Sequence, residues 1–257
     1  MLCPYISAAH AITHTSAETV LLCYTMRYRT VSGALMYEQT PPTHRVRRAT
    51  AAGSAQRAAA LLVLLHGYGS NEHDLFGLAA AIDPRVTVVS LRAPLTLTSG
   101  SYAWFTIDFT DTGLTLDLPG GKRALAQLAG VIVELARQYA ADPARVFLGG
   151  FSQGAAMAAA AALLAPDTIA GAIILSGITP VVFDLALPAS TAQTFFVAHG
   201  THDPVVPLAS GHATRDLLGR MGADLSYHEY AMGHTISDAC LRDMVGWLDA
   251  TLALEDR

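Results

Sequence analysis

The chain predicts an α/β fold: a mostly parallel, twisted sheet with helices on both faces and an antiparallel hairpin in front. Three observations carry this. From about residue 60 onward, runs with strand character alternate with runs at helical spacing. The run Ala60 to Leu65 is apolar throughout rather than at alternate positions, as in a parallel strand covered on both faces. The run Ala155 to Ala165 has no breaker before Pro166 and is too short to span a bilayer, so it reads as a core helix. Of 257 residues, 52% are hydrophobic and 14% charged, so most helices should be largely buried. The length suits one domain with a full core, and no repeat of 20–50 residues is present.

In chain order, residues 1–25 show no periodicity and read as a leader, disordered or not native to the start; residues 26–257 read as one domain. Met26 to Val31 alternates apolar and polar, Ser32-Gly33 follows, and Ala34 to Glu38 completes an antiparallel hairpin. Thr40 to Ala59, with Pro41-Pro42, several arginines and Gly53-Ser54, reads as a long surface loop. The strand Ala60 to Leu65 ends in His66-Gly67-Tyr68-Gly69-Ser70-Asn71. Leu75, Leu78, Ala79 and Ile82 then recur at helical spacing. Val86 to Leu91 is the next strand, closed by Arg92-Ala93-Pro94. An irregular aromatic-rich stretch runs from Tyr102 to Gly121. The amphipathic stripe Leu125, Leu128, Ala129, Ile132, Leu135, Ala136 and Tyr139 is a helix stopped by Asp142-Pro143. Further strands are expected at Val146 to Gly149, Gly171 to Leu175, Thr194 to Ala198 and Leu225 to Tyr230, the last near an edge. Helices follow at about Leu208 to Met221 and around Cys240, Met244, Trp247 and Leu248.

The net charge of −5 and a pI near 6.0 argue against nucleic acid as a partner. Arg45, Arg47, Arg48 and Arg57 cluster without interleaved aromatics and read as a solvated linker. Three cysteines, Cys3, Cys23 and Cys240, with no C-x-x-C, suggest neither a disulfide framework nor a zinc site. The N-terminus lacks a basic region before its apolar residues, so no secretory signal is expected and the expected location is cytoplasmic.

The chemistry centres on Gly150-Phe151-Ser152-Gln153-Gly154. The pattern G-x-S-x-G between a strand and a helix fits a nucleophile elbow. The apex serine is strained, and its neighbours must lack side chains because strand and helix backbones pass close there. A nucleotide-binding turn is the rival, but neither Gly149-Gly150 nor Gly67-Tyr68-Gly69 completes G-x-G-x-x-G. A serine hydroxyl needs a base, and the base an orienting acid. In a parallel sheet such groups collect at the carboxyl ends of strands. Loops after strands offer Ser152, Asp203 and His234, the chain order of α/β-hydrolases. His228 and His212 lie in strand and helix patterns, His199 and His202 beside the proposed acid. Asp184 is the rival acid. The oxyanion needs two N–H donors, assigned to Gln153 and Tyr68. His66 reads as structural, organising its neighbours through its imidazole. Trp104, Phe105, Leu75, Phe76, Phe183 and Val205 lie near motif ends and are candidates to line an acyl groove. No metal or cofactor is required.

Together these residues carry a family resemblance. Leu65 to Asn71, Arg92-Ala93-Pro94, Tyr102 to Phe105, Gly149 to Ala155, Leu175-Ser176-Gly177, His199 to Pro207 and Gly233-His234 resemble the phospholipase/carboxylesterase family of α/β-hydrolases, in family order over about residues 60–250. The resemblance implies an eight-stranded-type hydrolase sheet with a small or absent lid, and esterase activity on short to medium acyl chains. It supports Ser152, Asp203 and His234 as the triad, with Tyr68 and Gln153 as oxyanion donors. The first 60 residues depart from the family pattern. The lack of a long insertion between residues 175 and 194 leaves little chain for a large cap and favours small soluble esters over bulky triglycerides. The expected partner is a small ester, with no stable membrane insertion and a monomeric or homodimeric protein. Activity should rise with pH as the base loses its proton. The alternatives are acyl-protein thioesterase or lysophospholipase activity on the same triad, and a non-catalytic binding protein on this fold.

Overall fold

The computed structural model describes residues 27–31, 34–38, 42–50, 59–110 and 113–253. The leader expected at residues 1–25, and Met26, lie outside them. Strands β1 (Arg27–Val31) and β2 (Ala34–Glu38) form the expected antiparallel pair, with Val31 opposite Ala34. The stretch expected as a loop contains a strand instead, β3 (His44–Arg47). It pairs antiparallel with β5 (Val86–Leu91), which lies beside β4 (Ala59–Leu65).

Of the arginines expected to form a solvated linker, Arg57 lies outside the described residues, Arg45 and Arg48 are exposed, and Arg47 is not solvated in that way. The Arg47 guanidinium donates to the carbonyls of Ala79, Ile82, Asp83 and Val86, all at 2.8 Å. Arg45 lies over the Phe76 ring and Arg48 over the Tyr139 ring. Five donors in a rigid fork let one arginine satisfy several free carbonyls, so composition misjudged the segment.

Between β5 and the elbow, two small hairpins replace much of the irregular stretch. They pair β6 (Leu95–Thr98) with β7 (Ser101–Ala103), and β8 (Ile107–Thr110) with β9 (Gly113–Leu116). Helix α1 (Leu118–Gln138) starts before Gly121 because Asp117 accepts the Gly120 N–H at 2.9 Å and Pro119 suits the first turn. It ends ahead of Asp142-Pro143, which instead open β10 (Ala141–Phe151), where the register slips between Ala141 and Val146. The run from Leu75 forms only a 3-10 helix, Leu75–Ala80.

After α2 (Gln153–Leu164) come β11 (Gly171–Leu175), β12 (Thr194–Gly200), α3 (Leu208–Arg220), β13 (Asp224–Tyr230) and α4 (Asp238–Thr251). The main sheet runs β13-β12-β11-β10-β4-β5-β3, parallel throughout except at β3. Among the described residues it has seven strands, not eight, and the β1–β2 hairpin is hydrogen-bonded only within itself. Pro42, just before the edge strand, has no N–H to extend a ladder.

Alternation along the strands separates two cores. Leu61, Val63 and Leu65 of β4 pack with residues of α1 and α2, whereas Ala60, Leu62 and Leu64 face the 3-10 helix. Leu218 of α3 joins the first core, and Cys240, Met244 and Leu248 of α4 the second. Helix α2 is buried all round from Gln153 to Leu163. Alanine is the residue that lets a helix approach a sheet and its neighbours so closely. No helix among the described residues is long and apolar enough to cross a membrane.

Candidate active site

Strand β10 runs straight into α2 at Ser152, which holds φ 56° and ψ −115°. A non-glycine residue with this backbone is costly and persists only where the surroundings impose it. The imposition is visible. The Ser152 N–H donates to the Leu175 carbonyl at 2.9 Å, tying the apex to β11. A Cβ on Gly150 would overlap the Gly154 carbonyl, and one on Gly154 would overlap the Leu65 carbonyl. The glycines are therefore set by contact with backbone.

Beside the elbow lies the turn after β4. A Cβ on Gly67 would stand 3.5 Å from the Ser152 Cβ. Neither the Tyr68 N–H nor the Gln153 N–H has a hydrogen-bond partner among the described residues. Gln153 is the first residue of α2, where the helix offers its N–H no acceptor. His66 is fully buried, with Nδ1 donating to the Gly67 carbonyl at 2.8 Å and Nε2 accepting the Ala93 N–H at 3.0 Å. Both contacts are met by the neutral ring, and burial holds its pKa down. Its expected structural role is the one this geometry supports.

On the other flank, β12 and β13 end side by side. A Cβ on Gly200 would overlap the carbonyls of Met232 and Gly233, so the two turns lie in contact. The His202 N–H donates to the Met232 carbonyl at 3.1 Å. Across this contact His234 Nδ1 donates to Asp203 Oδ2 at 2.7 Å. Asp203 Oδ1 accepts the N–H groups of Val205 and Val206 at 2.8 and 2.9 Å. The carboxylate is wholly buried. Burial opposes its ionisation, but the bonds from His234, Val206 and Val205 outweigh that and hold its pKa below the usual range. The Phe151 and His234 rings lie 4.7 Å apart, which brings the imidazole over the residue preceding Ser152. No hydrogen bond joins Ser152 Oγ to the imidazole among the described residues.

The rival residues are engaged elsewhere. His199 Nε2 donates to the Val206 carbonyl at 2.9 Å and supports the acid loop. His202 contacts Thr201, His212 pairs with Glu229, and His228 stacks on Phe196. Asp184 ends the 3-10 helix Pro180–Phe183. The six residues expected to line an acyl groove differ in exposure. Trp104, Phe105, Leu75 and Phe183 are buried, with Phe105 and Phe183 edge-to-face at 5.5 Å, while Phe76 lies under Arg45. Val205 alone among the six is well exposed, at 57%.

Sequence reasoning missed an ion pair beside this site. Buried Glu72 accepts from the Arg92 guanidinium, at 2.7 Å from Nε, and its carboxyl is pulled down to about 2 chiefly by that bond. A lone arginine closing an apolar strand was the available signal, since such a charge needs a partner.

The phospholipase/carboxylesterase family profile matches residues 48–252. Acyl-protein thioesterase 1 of Candida albicans is 28% identical over 221 residues, spanning 78% of this chain and 95% of that protein. Acyl-protein thioesterase 1 of Debaryomyces hansenii is 29% identical over 167 residues, 62% of this chain and 72% of that one. Among solved structures, esterase PE8 superposes with a TM-score of 0.73 at 28% identity, covering 82% of this chain and all of its own. The Bacillus cereus carboxylesterase gives 0.68 at 25% identity, covering 81% and 93%. This chain belongs to the phospholipase/carboxylesterase family and is a serine hydrolase of the α/β-hydrolase fold.

Proposed function

We propose that the chain hydrolyses short- to medium-chain carboxylic esters through an acyl-enzyme on Ser152. The observation that carries this reading is the 2.7 Å bond between buried Asp203 and His234, set beside a serine held at positive φ. His234 Nε2 takes the proton of Ser152 as Oγ bonds to the ester carbonyl carbon. The imidazolium so formed is stabilised by Asp203, which stays ionised. The carbonyl oxygen becomes an oxyanion facing the N–H groups of Tyr68 and Gln153. The C–O bond to the alcohol then breaks, and His234 returns the proton to the leaving oxygen. Water repeats the sequence on the acyl-enzyme and releases the acid. The hydrogen bond between serine and imidazole forms as substrate binds, as in other sites whose catalytic contacts close only in the substrate complex.

A second reading keeps the machinery and changes the leaving group to a thiol. The fungal relatives named acyl-protein thioesterase favour it. A panel of aryl esters, thioesters and lysolipids of graded chain length separates the two by kcat/KM. Ser152→Ala should lower ester turnover by at least about 10⁴-fold and abolish fluorophosphonate labelling. Undiminished turnover in that variant would sink the scheme.

A further inference from the structure

The two proposed oxyanion donors come from different segments, the turn after β4 and the first residue of α2. Their spacing must hold to about half an ångström for the transition state to gain from both. A third segment, Ser101 to Phe105, bridges them. At one end it pairs with the turn: the Gly69 N–H donates to the Tyr102 carbonyl at 2.9 Å, and the Tyr102 N–H to the Ser70 carbonyl at 2.8 Å. Ser101 Oγ donates to the Gly69 carbonyl at 2.9 Å. In the middle, Trp104 Nε1 donates to the His66 carbonyl at 2.9 Å. At the other end, Gln153 Oε1 accepts the Trp104 N–H at 2.9 Å and Gln153 Nε2 donates to the Phe105 carbonyl at 2.8 Å.

A buried glutamine is uncommon and costly unless its amide is satisfied. Gln153 is 1% exposed, and both of its amide groups engage the backbone of adjacent residues. A glutamate there could not donate to the Phe105 carbonyl, and an apolar residue would leave two buried backbone groups unpaired. From outside, the Arg92 guanidinium lies 4.4 Å from the Tyr102 ring centroid and is itself held by Glu72. The segment is therefore fixed along its length.

We infer that the Gln153 side chain and the Trp104 indole are positioning residues that set the distance between the two oxyanion donors. Residue 153 supplies one donor from its backbone and aligns the other through its side chain. The inference rests on the serine-hydrolase mechanism above. It is tested with Gln153→Met, Trp104→Phe and the double variant of the full chain. The measurements are kcat and KM on a short-chain aryl ester, and Ki for a trifluoromethyl ketone of matching chain length, which forms a tetrahedral adduct.

Gln153→Met should lower kcat by about 10-fold to 100-fold. KM should stay within about 3-fold, because the loss is in the transition state. Ki for the ketone should rise in step with the fall in kcat/KM, and the double variant should cost less than the product of the singles. Folded variants with kcat within about 2-fold of wild type, or with Ki unmoved while kcat falls, would overturn the inference. Should Gln153→Met not fold, Trp104→Phe decides alone, since it removes one N–H and keeps an aromatic ring. If wild type itself neither turns over esters nor reacts with a fluorophosphonate, the mechanism fails and this inference with it. If wild type does both and the variants match it, only the inference fails.

Discussion

On the side of Ser152 that carries the proposed oxyanion donors, buried side chains hold backbone in place. On the side of the proposed acid, backbone and a buried carboxylate hold a side chain in place. His66, Gln153 and Trp104 all end on main-chain atoms, and the N–H groups of Tyr68 and Gln153 have no partner among the described residues. Asp203, fixed by two N–H groups, ends on one imidazole nitrogen. The difference follows from what each flank must do. An oxyanion site works by being already in place, and a hydrogen-bonded main chain reorganises little. A base must accept and return a proton, so its ring needs one fixed edge and one free edge.

The sharpest break of this comparison is Asp203→Asn. It keeps shape but lets the imidazole take the wrong tautomer, and kcat should fall by about 10³- to 10⁴-fold in steady-state ester hydrolysis. A loss no larger than that of Gln153→Met would mean that the acid flank matters no more than the strut opposite. Next come two glycine-to-alanine substitutions. At Gly154 the new Cβ would overlap the Leu65 backbone, and denaturant unfolding should show a loss of about 3 kcal/mol. At Gly233, where the nearest heavy atom is the His202 carbonyl at 3.9 Å, the change should stay within about 0.5 kcal/mol. Equal losses at both would erase the contrast between a close-packed elbow and an open base turn.

The smallest effect concerns Glu72, which follows the turn after β4. Its folded pKa of about 2 lies below the ordinary 4.5, so its stabilisation is present above the unfolded value and disappears as pH falls toward 2. Glu72→Gln should lower the melting temperature at neutral pH and flatten its decline between about pH 5 and pH 3. Parallel melting curves for the two proteins would refute the assignment.

Much of this architecture was legible in the residue order. Uninterrupted apolar runs marked the central strands, because a strand covered on both faces has no reason to alternate. Gly150 and Gly154 marked the elbow, because only glycine fits where two backbones meet. Arg47 and Phe105 were not legible. Arg47 has the character of a solvated cation until four carbonyls surround it. Phe105 has that of a ligand-facing ring until Phe183 closes over it.

The chain by itself determined the α/β alternation, the tight turn at Ser152 and the chain order of the proposed serine, acid and histidine, since these follow from local periodicity and from residue types with few alternative uses. Only the tertiary structure decided how closely the His234 imidazole meets Asp203, what the amide of Gln153 is bonded to and which aromatics stay buried. Those outcomes depend on groups tens of residues apart arriving within about 3 Å of one another, and spacing along a polymer does not encode that distance.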